Sequence, residues 1–190
     1  MEWLGALARP HRVRATDNHG AGSSDKPDEP YSYEAMAADT LAALDAAGVA
    51  AADIVGFSMG ARIAIELCLT HPERLRALTL VAGRPAGSLA LARARLLARV
   101  AAAAERDGGH GIRRQLEAGN GYDVRGRLTY VGVPTLVLHG RRDRLVPIAD
   151  SRELAPLIPG AELQLMPGGH LAVLRAQTGL RVDIQSPSAA

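Results

Sequence analysis

The five residues Gly56-Phe57-Ser58-Met59-Gly60 constrain this chain more than any other stretch. A short apolar run, "DIVGF", enters them, and a helical pattern from Ala61 to Thr70 leaves them, stopped by Pro72. In a G-x-S-x-G pentapeptide at a strand-to-helix turn, the serine takes a strained backbone conformation that lifts its hydroxyl above the sheet. Gly56 and Gly60 are both expected to be required, because a side chain at either would collide where strand and helix pass closely. The backbone N–H of Met59 would then face the same space as the hydroxyl, at a helix N-terminus that favours developing negative charge.

Around this turn the pattern is strand, then helix, repeated. "RVRAT" (Arg12–Thr16) reads as a weak strand leading into the loop "DNHGAGSSDKPDEP". A helix follows with Tyr33, Ala37, Leu41 and Leu44 on one face and Gly48 as its stop. After the serine come the strand "LRALTLV" (Leu75–Val81), the buried strand "PTLVLHG" (Pro134–Gly140), the helix "IADSRELAPLI" and the strand "AELQLM". In the last of these Leu163 and Leu165 alternate with polar residues, as in a half-buried edge strand. The fold class expected is α/β, a mostly parallel sheet with helices on both faces. "DIVGF", apolar without alternation, is expected to be buried on both faces.

Residues 88–123 differ. "SLALARARLLARVAAAAERD" predicts one long helix, broken at "DGGHG" before a short second helix, so this segment reads as a helical insertion between strands. The expected organisation is an N-terminal core part over 1–87, a helical cap over 88–123, a C-terminal core part over 124–177 and a disordered tail over 178–190.

A serine hydroxyl is a poor nucleophile until a base takes its proton, and that base needs an orienting carboxylate. Asp143, in "LHGRRDRLVP", follows a buried strand, and His170, in "MPGGHL", follows the last one, so both are expected at the sheet's carboxyl edge. Ser58, Asp143, His170 is the chain order of a serine triad on such a sheet. The competing readings are a loop-capping carboxylate for Asp143 and a surface-loop histidine for His170. His139 is expected to pack at a strand end, while His11, His71 and His110 read as loop or helix-end residues.

Composition narrows the function classes. The net charge is +2 from mixed signs with no long basic run, which removes an electrostatic case for nucleic acid. "DNHGAGSSD" lacks the third glycine of a dinucleotide loop, and no phosphate-binding or metal-spaced motif occurs elsewhere, so neither cofactor nor metal is expected. Cys68 is the single cysteine and falls in the helical pattern after the serine, where a buried thiol is expected. The absence of an intrachain disulfide, of a leader pattern in "MEWLGALARPHR" and of a long apolar run gives the expectation of a cytoplasmic protein that does not enter the membrane.

Taken together, "DNHGAGSSDKP", "GFSMG", "PTLVLHGRRDRLVP" and "PGGHL" resemble the α/β-hydrolase fold superfamily. The resemblance runs from about Trp3 to Arg84 and from about Asp123 to Leu174, and is greatest to small esterases and lactonases such as 3-oxoadipate enol-lactonase. It implies Ser58 as nucleophile, His170 as base, Asp143 as acid, the Met59 N–H as an oxyanion donor, and 88–123 as a short cap over the site. Three departures stand out. His19 replaces the family's arginine in the glycine loop, which implies a weakened internal ion pair or hydrogen bond. The family pattern stops after Leu174. The family also has three further strands and an "HG" loop, source of the second oxyanion donor, ahead of the helix that "EWLGALA" resembles. Met1 would then be an internal methionine of a longer hydrolase, with an open sheet edge through which the chain would self-associate.

Two functional classes follow. One is a serine hydrolase for small carboxylic esters or lactones that works through an acyl-enzyme. The other is a truncated or degenerate hydrolase core with little catalysis, at most a binding or dimerising module. Loss of one oxyanion donor costs about 10²–10³ in rate, which would weaken such an enzyme without erasing its chemistry.

Overall fold

The computed structural model describes residue 8, residues 10–87 and residues 110–171. The expected long helix beginning at Ser88, the helix over "EWLGALA" and the tail over 178–190 lie outside the described residues. In chain order the elements are α1 (Tyr33–Ala46), β1 (Ala52–Phe57), α2 (Met59–Thr70), β2 (Leu75–Val81), α3 (His110–Glu117), β3 (Thr135–Gly140), α4 (Ile148–Leu157) and β4 (Glu162–Met166). Short 3-10 turns cover Pro72–Arg74 and Arg125–Tyr130.

Local chemistry sets the boundaries. Ser32 caps α1 by accepting the Ala35 N–H at 3.1 Å, and Gly48, at φ 64°, ends it in the left-handed conformation that glycine takes most readily. α2 stops at Thr70, and Pro72 starts the 3-10 turn that redirects the chain into β2.

The four strands form one parallel sheet in the order β1-β2-β3-β4. Parallel neighbours need crossover connections, and α2 supplies one between β1 and β2 while α4 supplies another between β3 and β4. Alternation along the strands divides the apolar residues between two faces. Leu78, Leu80 and Val137 join Met36 of α1, Ile65 and Leu67 of α2 and Leu154 of α4 in the main core. Phe57, Val81, Leu136, Leu138 and Met166 form a smaller cluster of sheet residues on the other face. Every described helix that joins an apolar cluster therefore joins the first of them.

Two expectations change. Residues 12–16 form no strand: only Val13 among them is half-buried, and Arg12, Arg14, Ala15 and Thr16 are exposed. A segment with so little apolar surface to bury gains nothing from adding to a sheet. β1 is accordingly paired with β2 alone among the described residues, and it is not buried on both faces. Asp53 and Val55 are exposed, Ile54 is half-buried and Gly56 is buried. The half-buried character expected for the last strand is present in β4.

Because all four strands point the same way, the residues that follow Phe57, Val81, Gly140 and Met166 gather at one edge of the sheet, where open α/β sheets place their sites. Leu80 is fully buried in the main core, whereas Val55 is 39% exposed. Leu80→Ala is expected to destabilise the fold by about 2–5 kcal/mol, and Val55→Thr to change it by less than about 0.5 kcal/mol. Urea unfolding of the two variants beside the parent chain measures both.

Candidate active site

Ser58 sits between β1 and α2 with φ 55° and ψ −113°, one of two non-glycine residues at positive φ among those described. Its N–H donates to the Val81 carbonyl at 2.8 Å, so the strained turn is tied to the end of the neighbouring strand. The two flanking glycines are not equivalent. A Cβ on Gly56 would lie 2.4 Å from the Gly60 carbonyl oxygen and 2.7 Å from the Ala61 Cα, both rigid backbone. A Cβ on Gly60 would meet nothing within 4 Å, and Gly60 has no positive φ. The expected collision exists at Gly56 alone.

The other two predicted residues reach the same place. β3 ends at Gly140, and the loop beyond it is fastened to the loop after β4: Arg141 N–H donates to Met166 O and Arg142 N–H to Gly168 O, each at 2.8 Å. A Cβ on Gly140 would lie 2.5 Å from the Gly169 carbonyl oxygen, so the residue must be glycine for the two loops to touch. Asp143 is thereby brought under His170. Its side chain is fully buried, its Oδ1 accepts the N–H groups of Leu145 (2.8 Å) and Val146 (2.9 Å), and its Oδ2 accepts His170 Nδ1–H at 2.7 Å. His170 Nε2 lies 3.1 Å from Ser58 Oγ.

Electrostatics define the proton positions. Burial works to raise the Asp143 carboxyl, but hydrogen bonds from His170 and from the Val146 and Leu145 N–H groups outweigh it and hold it below the ordinary 3.8. A carboxylate only accepts, so the proton facing it is on His170 Nδ1, and Nε2 is left to accept the Ser58 O–H. His170 is further seated by the Phe57 ring, 4.9 Å away between centroids. Met59 opens α2, where a first-turn N–H has no acceptor within the helix. The arrangement can remove a proton from Ser58 and receive negative charge at a helix N-terminus.

A cavity of about 70 Å³ adjoins Ser58. Ser58, Met59, Ala82 and Val146 line it together with Tyr33, Arg62, Arg84, Gln115, Leu116 and Gly119. The arginines were not anticipated from the sequence. Arg62 is 4% exposed in the middle of an apolar helix, where it donates to the Tyr33 hydroxyl (3.0 Å) and to the carbonyls of Ala86 (3.1 Å) and Gly87. The Tyr33 and Tyr122 rings hold its guanidinium, at 5.3 and 5.0 Å. One turn on, the fully buried Glu66 accepts from the Tyr122 hydroxyl (2.9 Å) and from Arg127 (2.6 and 2.9 Å). A charged pair at i, i+4 inside an apolar run was the available signal.

The remaining histidines and the thiol are accounted for. His19 contacts the Asp39 carboxylate through Nδ1 and packs edge-on against Tyr31. His11 is exposed in a bend, His71 caps the end of α2 and His110 begins α3. Cys68 is buried, which pushes its thiol up to about 11.

With the sheet and this geometry in view, comparison with known proteins decides the family. The chain belongs to the α/β hydrolase fold family. A model of that fold matches residues 1–116. The chain is 31% identical, over 209 aligned positions, to a putative carbamate hydrolase, RutD, of Klebsiella pneumoniae subsp. pneumoniae, covering 88% of this chain and 79% of the relative. Among solved structures, a hydrolase from Pseudomonas aeruginosa PA01 superposes with a TM-score of 0.78 at 26% identity, covering 91% of this chain and 78% of the other. The enol-lactonase of Burkholderia xenovorans LB400 shares the fold, with a TM-score of 0.73 at 24% identity over 84% and 74% of the two chains. The carbamate hydrolase, the hydrolase and the enol-lactonase are each named for hydrolysis. No described helix is long and apolar enough to cross a membrane.

The inequality of the two glycines is open to direct measurement. Gly56→Ala is expected to force β1 and α2 apart, with a loss of about 1–3 kcal/mol as for overpacking and a fall in activity. Gly60→Ala is expected to keep the fold or stabilise it by up to about 1 kcal/mol, since alanine favours a helix over glycine. Thermal unfolding of both variants tests the pair.

Proposed function

We propose that the protein is a serine hydrolase of small carboxylic esters or lactones. The observation that carries this reading is the continuous hydrogen-bonded series Ser58 Oγ, His170 Nε2, His170 Nδ1, Asp143 Oδ2, with links of 3.1 and 2.7 Å. In this reading Ser58 Oγ attacks the substrate carbonyl as His170 Nε2 takes its proton. Asp143 keeps the other ring nitrogen protonated and stabilises the imidazolium that forms. The Met59 N–H donates to the oxyanion. Collapse of the tetrahedral species expels the alcohol, or opens the lactone, with the proton returned from His170, and leaves an acyl-Ser58 ester. Water, deprotonated by the same imidazole, then releases the acid and restores Ser58.

Two features support the substrate class. Ser58, rather than a carboxylate, stands at the turn, and an oxygen nucleophile of this kind suits acyl transfer. The adjoining cavity of about 70 Å³ suits a short acyl group. The carbamate hydrolase and the hydrolase from Pseudomonas aeruginosa among its relatives support hydrolysis as the type of reaction.

A panel of short-chain esters and small lactones provides the test. Turnover is expected to be greatest for acyl groups of few carbons. Ser58→Ala is expected to lower kcat by at least about 10³-fold, and Asp143→Asn by up to about 10⁴-fold. Turnover of the panel that survives in Ser58→Ala would refute the reading. Absence of turnover by the parent chain on every member would favour a binding module instead.

A further inference from the structure

His139 is the penultimate residue of β3, fully buried, four positions before Asp143. Its Nε2 lies 3.1 Å from the Val146 carbonyl oxygen and 3.5 Å from Asp143 Oδ2, and its Nδ1 lies 2.6 Å from Ser151 Oγ. Ser151, also fully buried, lies on α4, with its Oγ 3.2 Å from the Gly83 carbonyl beyond the end of β2. A carbonyl only accepts, so Nε2 carries the proton and donates to Val146; Nδ1 then accepts the single Ser151 O–H, whose oxygen lies 2.6 Å from it and 3.2 Å from the Gly83 carbonyl. The same Val146 donates its own N–H to Asp143 Oδ1. One imidazole thus ties the loop bearing Asp143 to α4.

The geometry points to His139 as a positioning residue for the acid: by donating Nε2–H to the Val146 carbonyl, it fixes the turn whose N–H groups orient the Asp143 carboxylate toward His170. A strand-end residue that served only to fill space would need no polar atoms, and a buried polar ring without partners would be costly. Here both ring nitrogens are engaged, and one of them faces the loop that carries the acid. The role has an energetic basis, because Asp143 acts through orientation. A carboxylate rotated away from Nδ1 no longer holds the imidazole in the tautomer that accepts from Ser58. His139 touches no substrate and does no proton transfer in this account.

The inference rests on the serine-hydrolase reading for its kinetic expression, and Ser58→Ala separates the two. His139→Leu removes both hydrogen bonds. His139→Gln places an amide N–H near the former Nε2, within reach of Val146, and His139→Asn places one near the former Nδ1, toward Ser151. With the best ester of the panel, His139→Leu and His139→Asn are expected to lower kcat roughly 10- to 100-fold, the size of a small misplacement of a reacting group. KM is expected to stay within about twofold, as when an interaction is lost only in the transition state. His139→Gln is expected to recover most of kcat. Equal kcat in the Gln and Asn variants, or full kcat in a folded His139→Leu, would overturn the proposal, and so would a loss that followed melting temperature alone. Proton NMR supplies a readout independent of turnover. The low-field resonance of His170 Nδ1–H, assigned by its loss in Asp143→Asn, is expected in the parent chain and in His139→Gln. It is expected to shift or disappear in His139→Asn, and its persistence there unchanged would equally overturn the proposal.

Discussion

The turn at Ser58 is the constraint on which the rest of the structure depends. A serine at φ 55° is held in a conformation that L-residues seldom adopt, at a cost on the order of 1–3 kcal/mol, and it persists only where the surroundings over-determine it. Three features do so here. The Ser58 N–H is bound to Val81 O, the backbone of α2 passes so near Gly56 that no Cβ fits, and Ile65 and Leu67 fix α2 in the core below. Core packing and the pose of one hydroxyl are therefore the same problem.

The second half of the site is built by a different device. Asp143 and His170 lie on separate loops, and neither is placed by a strained residue. The loops instead meet through backbone hydrogen bonds from Arg141 and Arg142, at a contact open only because Gly140 has no side chain. A buried carboxylate is costly without partners, and Asp143 has three: two backbone N–H groups on one oxygen and the His170 ring on the other. Those bonds outweigh the burial that would neutralise it and keep it a carboxylate. The cluster of Arg62, Glu66, Tyr33, Tyr122 and Arg127 joins α2 to the segment after α3, and its Tyr33 and Arg62 line the cavity beside Ser58.

Much of this was legible in the residues. Strands β2 and β3 and helices α1 and α4 fall where hydrophobic period, glycine and proline put them, because those signals act locally. The three residues that meet at the site were readable too, since each follows a strand and parallel strands deliver their ends to one edge. What was not legible depends on distant neighbours. "RVRAT" has a strand-like composition but too little apolar surface to earn a place in the sheet, and β1 is half-exposed despite its apolar run. Gly60 resembles Gly56 in sequence, yet only the path of α2 past β1 decides which needs to be glycine. His139 is marked by nothing in "LVLHG" that separates a filler from a clamp, because its partners Val146 and Ser151 come from beyond the acid and from the next helix.

The central claim is that Ser58 is an activated nucleophile, and covalent capture tests it most directly. A fluorophosphonate reacts with an activated serine and spares ordinary hydroxyls. Incubation of the 190-residue chain with the probe, followed by peptide mapping by mass spectrometry, is predicted to find the adduct on Ser58 and on no other serine. The rate is predicted to fall at least about 10²-fold in His170→Ala, the contribution of a general base. Labelling spread over several serines, or equal rates in the parent chain and His170→Ala, would contradict the account and reduce the turn at Ser58 to a structural one.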